Sequence, residues 1–324
     1  MSNISISRRR LFAIGAGAAG MAVLPALVQA ASPMRAWIVT GGKGGVFYPY
    51  GQGLAEVLSS AHFDSKAEAT GGSVDNARLV QAGKADIGFS TVDSAYDALH
   101  GTGAYAKDGK LDLRVLAVLY DSYLHVVASR ESGIASIADL KGKRVSIGSA
   151  GSSTEAIADR VLEAAGIDPA SGVTRANLGV AESAVALKDG KIDAFFWIGG
   201  VPTAAVAELA SAGKPAITFV PTGVQHAAID RKYPGLYREL TLPKSAYAGM
   251  TANVPSLGVA NVLIVSASAT DDFVTAVLTG IFDNLDAVHK VHPEAARLAL
   301  DRAASTTAVP FHPAATAFYK ARGA

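Results

Sequence analysis

Strand-like and helix-like segments alternate along most of the chain, and this alternation constrains the fold more than any single motif. Short apolar runs predict buried strands, and apolar residues at helical spacing predict helices. The predicted strands cover residues 36–40, 85–90, 113–119, 124–128 and 192–197, with one more after the turn "DLKGK". The predicted helices cover 54–58, 76–82 and 155–165, and a last one has Asp271 as its N-cap. The alternation indicates an α/β protein with largely parallel sheets.

A weak internal repeat refines this expectation. The segments "ARLVQAGKADIGF" (77–89) and "AVALKDGKIDAFF" (184–196) share Ala, Gly, Lys, Asp and Phe at the same offsets. The same shift of 107 residues carries Gly44 in "TGGKGG" onto Gly151 in "GSAGSST". Chance and common α/β patterns are the alternative explanation for so few matches. As a true correspondence, the repeat predicts two similar lobes, joined by crossing strands, that each present a helix N-terminus to a shared cleft.

The first 30 residues have the pattern of an export signal. Arg8, Arg9 and Arg10 precede a mild apolar run that ends in small residues at Ala30. This arrangement predicts a twin-arginine-like signal peptide over residues 1–30, cleaved near Ala30, and therefore a periplasmic protein. An uncleaved membrane anchor is the alternative. The GxGxxG within this leader follows arginines rather than a strand, so it does not indicate a dinucleotide site.

Charge and residue usage exclude several classes of function. The net charge of +1 includes three leader arginines, and the segment after residue 30 carries 26 basic and 28 acidic residues. A mildly acidic protein without a long basic run is not expected to bind nucleic acid. The chain has no Cys, no GxSxG and no HExxH, so neither a catalytic constellation nor a metal or cofactor site is predicted. Any anion site must be built locally.

The loop "TGGKGG" after the first strand is the first candidate site. Its spacing differs from that of a phosphate-binding loop, because Lys43 lies among the glycines rather than at a helix start. A tight turn is the simplest alternative. As a binding loop, it would bring backbone N–H groups, including that of Gly42, and the Lys43 ammonium to a ligand carboxylate. One of Tyr48 and Tyr50 would then lie over the ligand, and the other would pack.

The other candidate residues stand at two predicted helix starts and at the ends of two predicted strands. In "GSAGSST", one or two hydroxyls are needed to cap the following helix, with Ser153 or Thr154 as the expected cap, and the rest are free to bind an anion. Polar residues also stand at a helix start in "TGGSVDN" and at a strand end in "FSTVD", and "FFWIGG" puts Trp197 at another strand end as a candidate cleft wall. Clefts form at such strand ends in open α/β sheets. Capping alone is the alternative for the helix starts. The candidates are Ser149, Ser152, Ser153, Thr154, Ser73, Thr91, Asp93 and Trp197.

Five segments together resemble the TAXI family, the solute-binding subunits of one class of TRAP transporter. They are "TGGKGGVFYPYGQGLAEVL", "ATGGSVDNARLVQAGKADIGF", "DLKGKRVSIGSAGSSTEAIADRVL", "DGKIDAFFWIGGVPTAAV" and "VPFHPAATAFY", in family order. The resemblance implies a class II-like periplasmic binding protein fold of two lobes, each a mainly parallel sheet flanked by helices. Lobe one would comprise 31–124 and 258–324, and lobe two 125–257. The family pocket maps onto Gly42, Tyr48, Ser73, Thr91, Asp93, Ser152 and Thr154.

By the same resemblance, the protein would be a monomer that passes a small organic anion to a TRAP membrane permease. The family's solutes include glutamate and related dicarboxylates. Lys43 replaces a common Thr or Ser, and Thr91-Val92-Asp93 replaces Gln-Ser-Asp. These departures favour a 2-oxo or dicarboxylic acid over an amino acid. Two other classes stay open: an exported hydrolase that uses Ser152 or Ser153, and the ligand-binding subunit of a sensor.

Overall fold

The computed structural model describes residues 33–324, so the predicted signal peptide lies outside the described residues. Two units of the same topology carry the parallel strands. The first contains β1 (Met34–Val39), α1 (Phe47–Ser60), β2 (Phe63–Glu68), α2 (Ser73–Gln81) and β3 (Ile87–Thr91). The second contains β5 (Arg144–Ser146), α4 (Ser153–Ala164), β6 (Thr174–Ala176), α5 (Val180–Lys188) and β7 (Ala194–Gly199). In each unit the first strand lies between the other two, in the orders β2-β1-β3 and β6-β5-β7.

The register of these strands confirms the internal repeat. Ile38 pairs with Ile87 in the first unit, and the residues 107 positions later, Val145 and Ala194, pair with each other in the second. The following pair, Val39 with Gly88, is likewise repeated 107 residues later as Ser146 with Phe195. Two units that match in strand pairing as well as in strand order are structurally equivalent, so the sequence matches reflect a true correspondence.

The repeated aspartate has one role in both units. Asp86 accepts a hydrogen bond from the Trp37 backbone N–H at 2.9 Å, and Asp193 accepts one from the Arg144 N–H at 2.9 Å. Each carboxylate also pairs with an arginine of the neighbouring strand, Arg35 or Arg144. In each unit the aspartate therefore holds the strand that follows it, β3 or β7, against the first strand, β1 or β5.

Two long antiparallel strands connect the units into one sheet. They are β4 (Leu113–Ser129) and β10 (Val254–Ser266), and every antiparallel pair of the sheet involves one of them. The predicted α/β fold is confirmed as one mixed sheet, with parallel pairing confined to the outer strands. The predicted strands 113–119 and 124–128 are one strand, because Asp121 and Ser122 between them continue the pairing with β10, opposite Ala260 and Val259.

The remaining elements complete the sheet and cover its faces. They are α3 (Val92–His100), α6 (Ala204–Ala212), β8 (Ile217–Phe219), α7 (His226–Lys232), β9 (Arg238–Leu242), α8 (Asp271–Phe282), α9 (Leu285–Val291), α10 (Leu300–Ala303) and α11 (Pro313–Ala321). The N-cap of α8 is Thr270 rather than the predicted Asp271, because the Thr270 hydroxyl accepts from the Phe273 N–H. Among residues 33–324, no helix has the length and apolar character needed to cross a membrane.

Candidate functional site

A cleft between the two units holds the candidate site. It encloses about 550 Å³ of space between protein atoms, its open mouth included. It lies at the carboxyl ends of β1, β3, β5 and β7, where open α/β sheets bind ligands. Its lining residues are Gly41, Gly42, Gly45, Val46, Phe47, Gly71, Gly72, Ser73, Thr91, Tyr120, Ser149, Ser152, Ser153, Thr154, Gly179, Val180, Trp197, Ile198 and Gly199.

Four helix N-termini meet at this cleft. The first residues of α1, α2, α4 and α5 are all in the lining, two helices from each unit. The first N–H groups of a helix have no partner within the helix, and its N-terminus carries a partial positive charge. Neither α1 nor α5 has a side-chain cap. The described lining includes no Lys, Arg, His, Asp or Glu, so the cleft presents backbone groups and hydroxyls to a ligand rather than charged side chains.

The hydroxyls of "GSAGSST" divide between capping and the cleft. Ser152 is the N-cap of α4, since its hydroxyl accepts from the Glu155 N–H at 3.3 Å. The sequence predicted Ser153 or Thr154 as the cap, so the observed cap lies one or two residues earlier. Thr154 accepts from the Ile198 N–H at 3.4 Å and so fixes the end of β7. Ser149 and Ser153 complete the hydroxyl wall of the cleft on this side.

The two units touch directly along one edge of the cleft. The Gly151 carbonyl accepts hydrogen bonds from the N–H groups of Val74 and Asp75, at 3.1 and 3.2 Å. Ser73 Oγ donates to Ser153 Oγ at 3.2 Å. A loop of the second unit thus caps α2 of the first, which has no side-chain cap of its own. Ser73 is the first residue of α2 rather than its cap.

The first glycine loop meets the second unit through Trp197. A Cβ placed on Gly45 would lie 2.8 Å from Trp197 Cη2, so glycine permits this close approach. Trp197 is held by a hydrogen bond from Nε1 to Thr203 Oγ1 at 2.9 Å, and it forms a wall of the cleft. Gly45 of this loop therefore accommodates an aromatic wall.

The structure does not bring Lys43 and Tyr48 into the cleft lining. Lys43 is exposed, and its Nζ lies 5.8 Å from the ring centroid of Tyr48. The Tyr48 hydroxyl accepts from Gln52 Nε2 at 2.9 Å. Tyr50, the expected packing residue, is buried against Phe89. Lys43 thus lies exposed beside Tyr48 of α1.

Asp93 has a partner of its own outside the cleft lining. It accepts from Arg160 Nη1 at 3.2 Å and from the Tyr237 hydroxyl at 2.6 Å, and all three side chains are buried. Asp97 pairs with the other nitrogen of the same guanidinium. Burial raises the pKa of Asp97, and the nearby Arg160 charge opposes this shift only in part. Asp93 therefore joins α3 to α4 within the protein.

Several residues of the cleft lining were not predicted from the sequence. For two of them, the internal repeat could have indicated the position. Gly179 and Val180 are 107 residues after Gly72 and Ser73, so the repeat that related the two loops also relates these helix starts. Phe47 and Ile198 resembled ordinary core residues. Tyr120 lies inside a long strand, where nothing in the local sequence distinguishes a cleft residue from a packed one.

Comparison with known proteins places this chain in a family. The sequence model of the NMT1-like family matches residues 38–323. The chain belongs to the NMT1-like family. A solved protein of Bordetella bronchiseptica RB50 is 20% identical to this NMT1-like protein, with a TM-score of 0.54 and coverage of 82% of this chain and 77% of that one. These values show a shared fold.

Two further solved structures resemble the NMT1-like protein. One, described as a periplasmic transporter, is 13% identical, with a TM-score of 0.53 and coverage of 90% and 93%. The other is the periplasmic aliphatic sulphonate binding protein SsuA of Escherichia coli, 15% identical, with a TM-score of 0.45 and coverage of 90% and 91%. The NMT1-like protein therefore shares its fold with the first of these two structures.

Proposed function

We propose that this NMT1-like protein is a periplasmic solute-binding protein that holds a small organic anion in the cleft and delivers it to a membrane transporter. The carrying observation is the convergence of four helix N-termini, of which those of α1 and α5 have no side-chain cap, on a cleft whose described lining has no charged side chain. Helix N-termini are established binding sites for carboxylates and other anions. In this proposal the lobes are residues 31–124 with 258–324, and residues 125–257.

The proposed contacts come from both lobes. Gly42, Ser73 and Thr91 would face the solute from the first, and a second set would face it from the other lobe: Ser149, Ser152, Ser153, Thr154 and Trp197. Hydrogen bonds to a charged group contribute about 1.5–3 kcal/mol each. A few of them supply the ~8 kcal/mol of micromolar binding after ordering costs.

An amino acid is a poorer fit to this cleft than an acid without an amino group. A buried ammonium requires a carboxylate or several acceptors. Among the described lining residues there is no Asp or Glu, and Asp93 is already paired with Arg160. We therefore favour a 2-oxo or related organic acid over glutamate.

The proposed partner is a TRAP-type permease, on the resemblance of the five quoted segments to TAXI proteins. The leader would export the protein as a monomer by a twin-arginine-like route. A hydrolase is disfavoured, because the Ser152 hydroxyl caps α4 and donates to the Ser149 carbonyl, and the described lining offers no His or carboxylate as a base. A sensor subunit would use the same cleft with a different partner.

A charge reversal in the cleft tests the proposal. Ser149 lines the cleft and is half-buried, so Ser149→Asp places a carboxylate where the solute's negative charge would lie. We expect calorimetry with a panel of organic acids to show at least a roughly tenfold loss of affinity in this variant. Ser149→Asn, of similar size and neutral, is the matched control and should lose much less.

Other outcomes of this experiment are equally informative. Equal affinity in the Asp and Asn variants would contradict anion binding at this cleft. Uptake of the bound acid into native membrane vesicles then separates the transporter classes. Dependence on an imposed ion gradient supports a TRAP permease, and dependence on ATP supports an ABC transporter instead.

A further inference from the structure

Two buried hydroxyls on the floor of the cleft have no hydrogen-bond partner among residues 33–324. They belong to Thr91, which is 1% exposed, and to Tyr120, which is fully buried. Both residues line the cleft. Buried polar groups in folded proteins are nearly always bonded, so an unbonded pair facing one cleft calls for an explanation.

Thr91 stands at a position where its hydroxyl would ordinarily bond to its own helix. It is the N-cap residue of α3, yet its side chain makes no cap hydrogen bond. Its backbone N–H already donates to Ser73 Oγ at 3.2 Å. The hydroxyl is therefore left for a group that occupies the cleft.

Tyr120 is held in the sheet while its hydroxyl stays free. Asn261 Nδ2 donates to the Tyr120 carbonyl at 3.0 Å and to Ser122 Oγ at 2.8 Å, and these bonds fix the backbone of β4 beside the phenol. Burial, with a smaller effect of the Glu294 carboxylate, raises the pKa of Tyr120 well above its ordinary value. The phenol thus stays protonated and acts as a hydrogen-bond donor.

We propose that Thr91 and Tyr120 form a subsite for one uncharged oxygen of the solute, a carbonyl or hydroxyl oxygen adjacent to the carboxylate held at the helix N-termini. The proposal rests on the function proposed above and narrows its solute class. Among the described lining residues there is no cationic side chain to balance a second carboxylate at this floor. An uncharged oxygen can accept from both hydroxyls without a counter-charge, so the solute is a mono-carboxylic oxo or hydroxy acid.

Removing each hydroxyl without changing side-chain shape tests this subsite. The variants are Thr91→Val and Tyr120→Phe, and the control is Tyr50→Phe, whose hydroxyl is also buried and unbonded but lies outside the cleft lining. Calorimetry would compare pentanoate, 2-oxopentanoate, 2-hydroxypentanoate and glutarate. We expect the wild type to prefer the oxo or the hydroxy acid to pentanoate by about tenfold or more.

In Thr91→Val and Tyr120→Phe, that preference should fall at least about fivefold while pentanoate affinity stays within about twofold. Thr91→Ser, which keeps the hydroxyl, should retain the preference, and Tyr50→Phe should leave all affinities unchanged. The subsite is wrong if the wild type binds glutarate best, or if the variants lose pentanoate and the oxygenated acids alike. Failure of all four acids to bind the wild type would instead overturn the proposed function, and the subsite with it.

Discussion

Arg160 on α4 and Asp93 on α3 form a buried ion pair, with Nη1 and Oδ2 3.2 Å apart. The guanidinium also binds Asp97 and lies 4.0 Å from the ring centroid of Tyr233. Arg160 on α4, a helix of the second unit, thus binds Asp93 and Asp97 on α3, the helix that follows the first unit. Its removal would leave both carboxylates buried without their counter-charge.

We expect Arg160→Met to lower the free energy of unfolding by about 3–5 kcal/mol, because breaking a buried pair leaves uncompensated charge. Urea-induced unfolding measures the change. Lys232→Met is the matched control. Lys232 of α7 pairs with Glu163, which lies on α4 like Arg160, but both side chains are exposed. This pair should contribute only about 0–1 kcal/mol to the free energy of unfolding. A similar small effect in both variants would show that the Arg160 cluster is not a structural requirement.

The aspartate of the repeated motif gives a pH-dependent prediction. The hydrogen bond from Arg144 is the main cause that lowers the pKa of Asp193. A lowered pKa in the folded state adds stability above the ordinary Asp pKa, and this contribution is lost as the pH falls through the folded value. Asp193→Asn should therefore lower the urea midpoint at neutral pH and converge with the wild type in strong acid.

Asp189→Asn is the control for that experiment. Asp189 pairs with Lys191 in an exposed position two residues away, so its removal should change the midpoint little at either pH. A constant difference between the Asp193→Asn variant and the wild type across the whole range would contradict the ionic origin of the effect.

The contact between the first glycine loop and Trp197 predicts different costs for two neighbouring glycines. Gly45→Ala places a Cβ 2.8 Å from the indole, whereas Gly42→Ala meets no atom within 4 Å. We expect Gly45→Ala to destabilise the protein by about 1–3 kcal/mol and Gly42→Ala to have little effect. Thermal unfolding gives the stabilities, and tryptophan fluorescence in a Trp37→Phe background reports on Trp197. Equal stability of both variants would show that this contact is loose in solution.

Lys43 should contribute little to solute affinity. Its ammonium is exposed and lies over the Tyr48 ring, outside the cleft lining. Exposed charges act weakly across solvent at physiological ionic strength. We expect Lys43→Ala to change the dissociation constant for the tightest-binding acid by less than about threefold in calorimetry. A loss of tenfold or more would mean that Lys43 contacts the solute in solution.

The features that the sequence predicted best are those that follow from local side-chain periodicity and from the internal repeat. The paired registers of Ile38 with Ile87 and of Val145 with Ala194 follow from one shift along the chain, and the helix that starts at Ser153 follows from its hydroxyl-rich loop. These features depend on backbone hydrogen bonds and on neighbours within one unit. They could therefore be predicted without knowledge of the assembled cleft.

Side-chain direction in the loops and long-range pairing could not be predicted in the same way. Asp93 stands at a strand end, as a ligand residue would, but its partner Arg160 is 67 residues away. Lys43 stands among the glycines of a binding loop yet turns outward to Tyr48. Tyr120 reaches the cleft only because β4 continues past polar residues that looked like a break. Each outcome depends on how the two units pack.

The strands β4 and β10 determine how the cleft can open. They pair with each other where Tyr123 meets Gly258, and both predicted lobe boundaries fall within a residue of this pair. A swing of one lobe must therefore twist a hydrogen-bonded ladder instead of bending free loops. In the proposed closing of the lobes, the paired strands would resist large movements, because each hydrogen bond between them limits how far they can turn against each other.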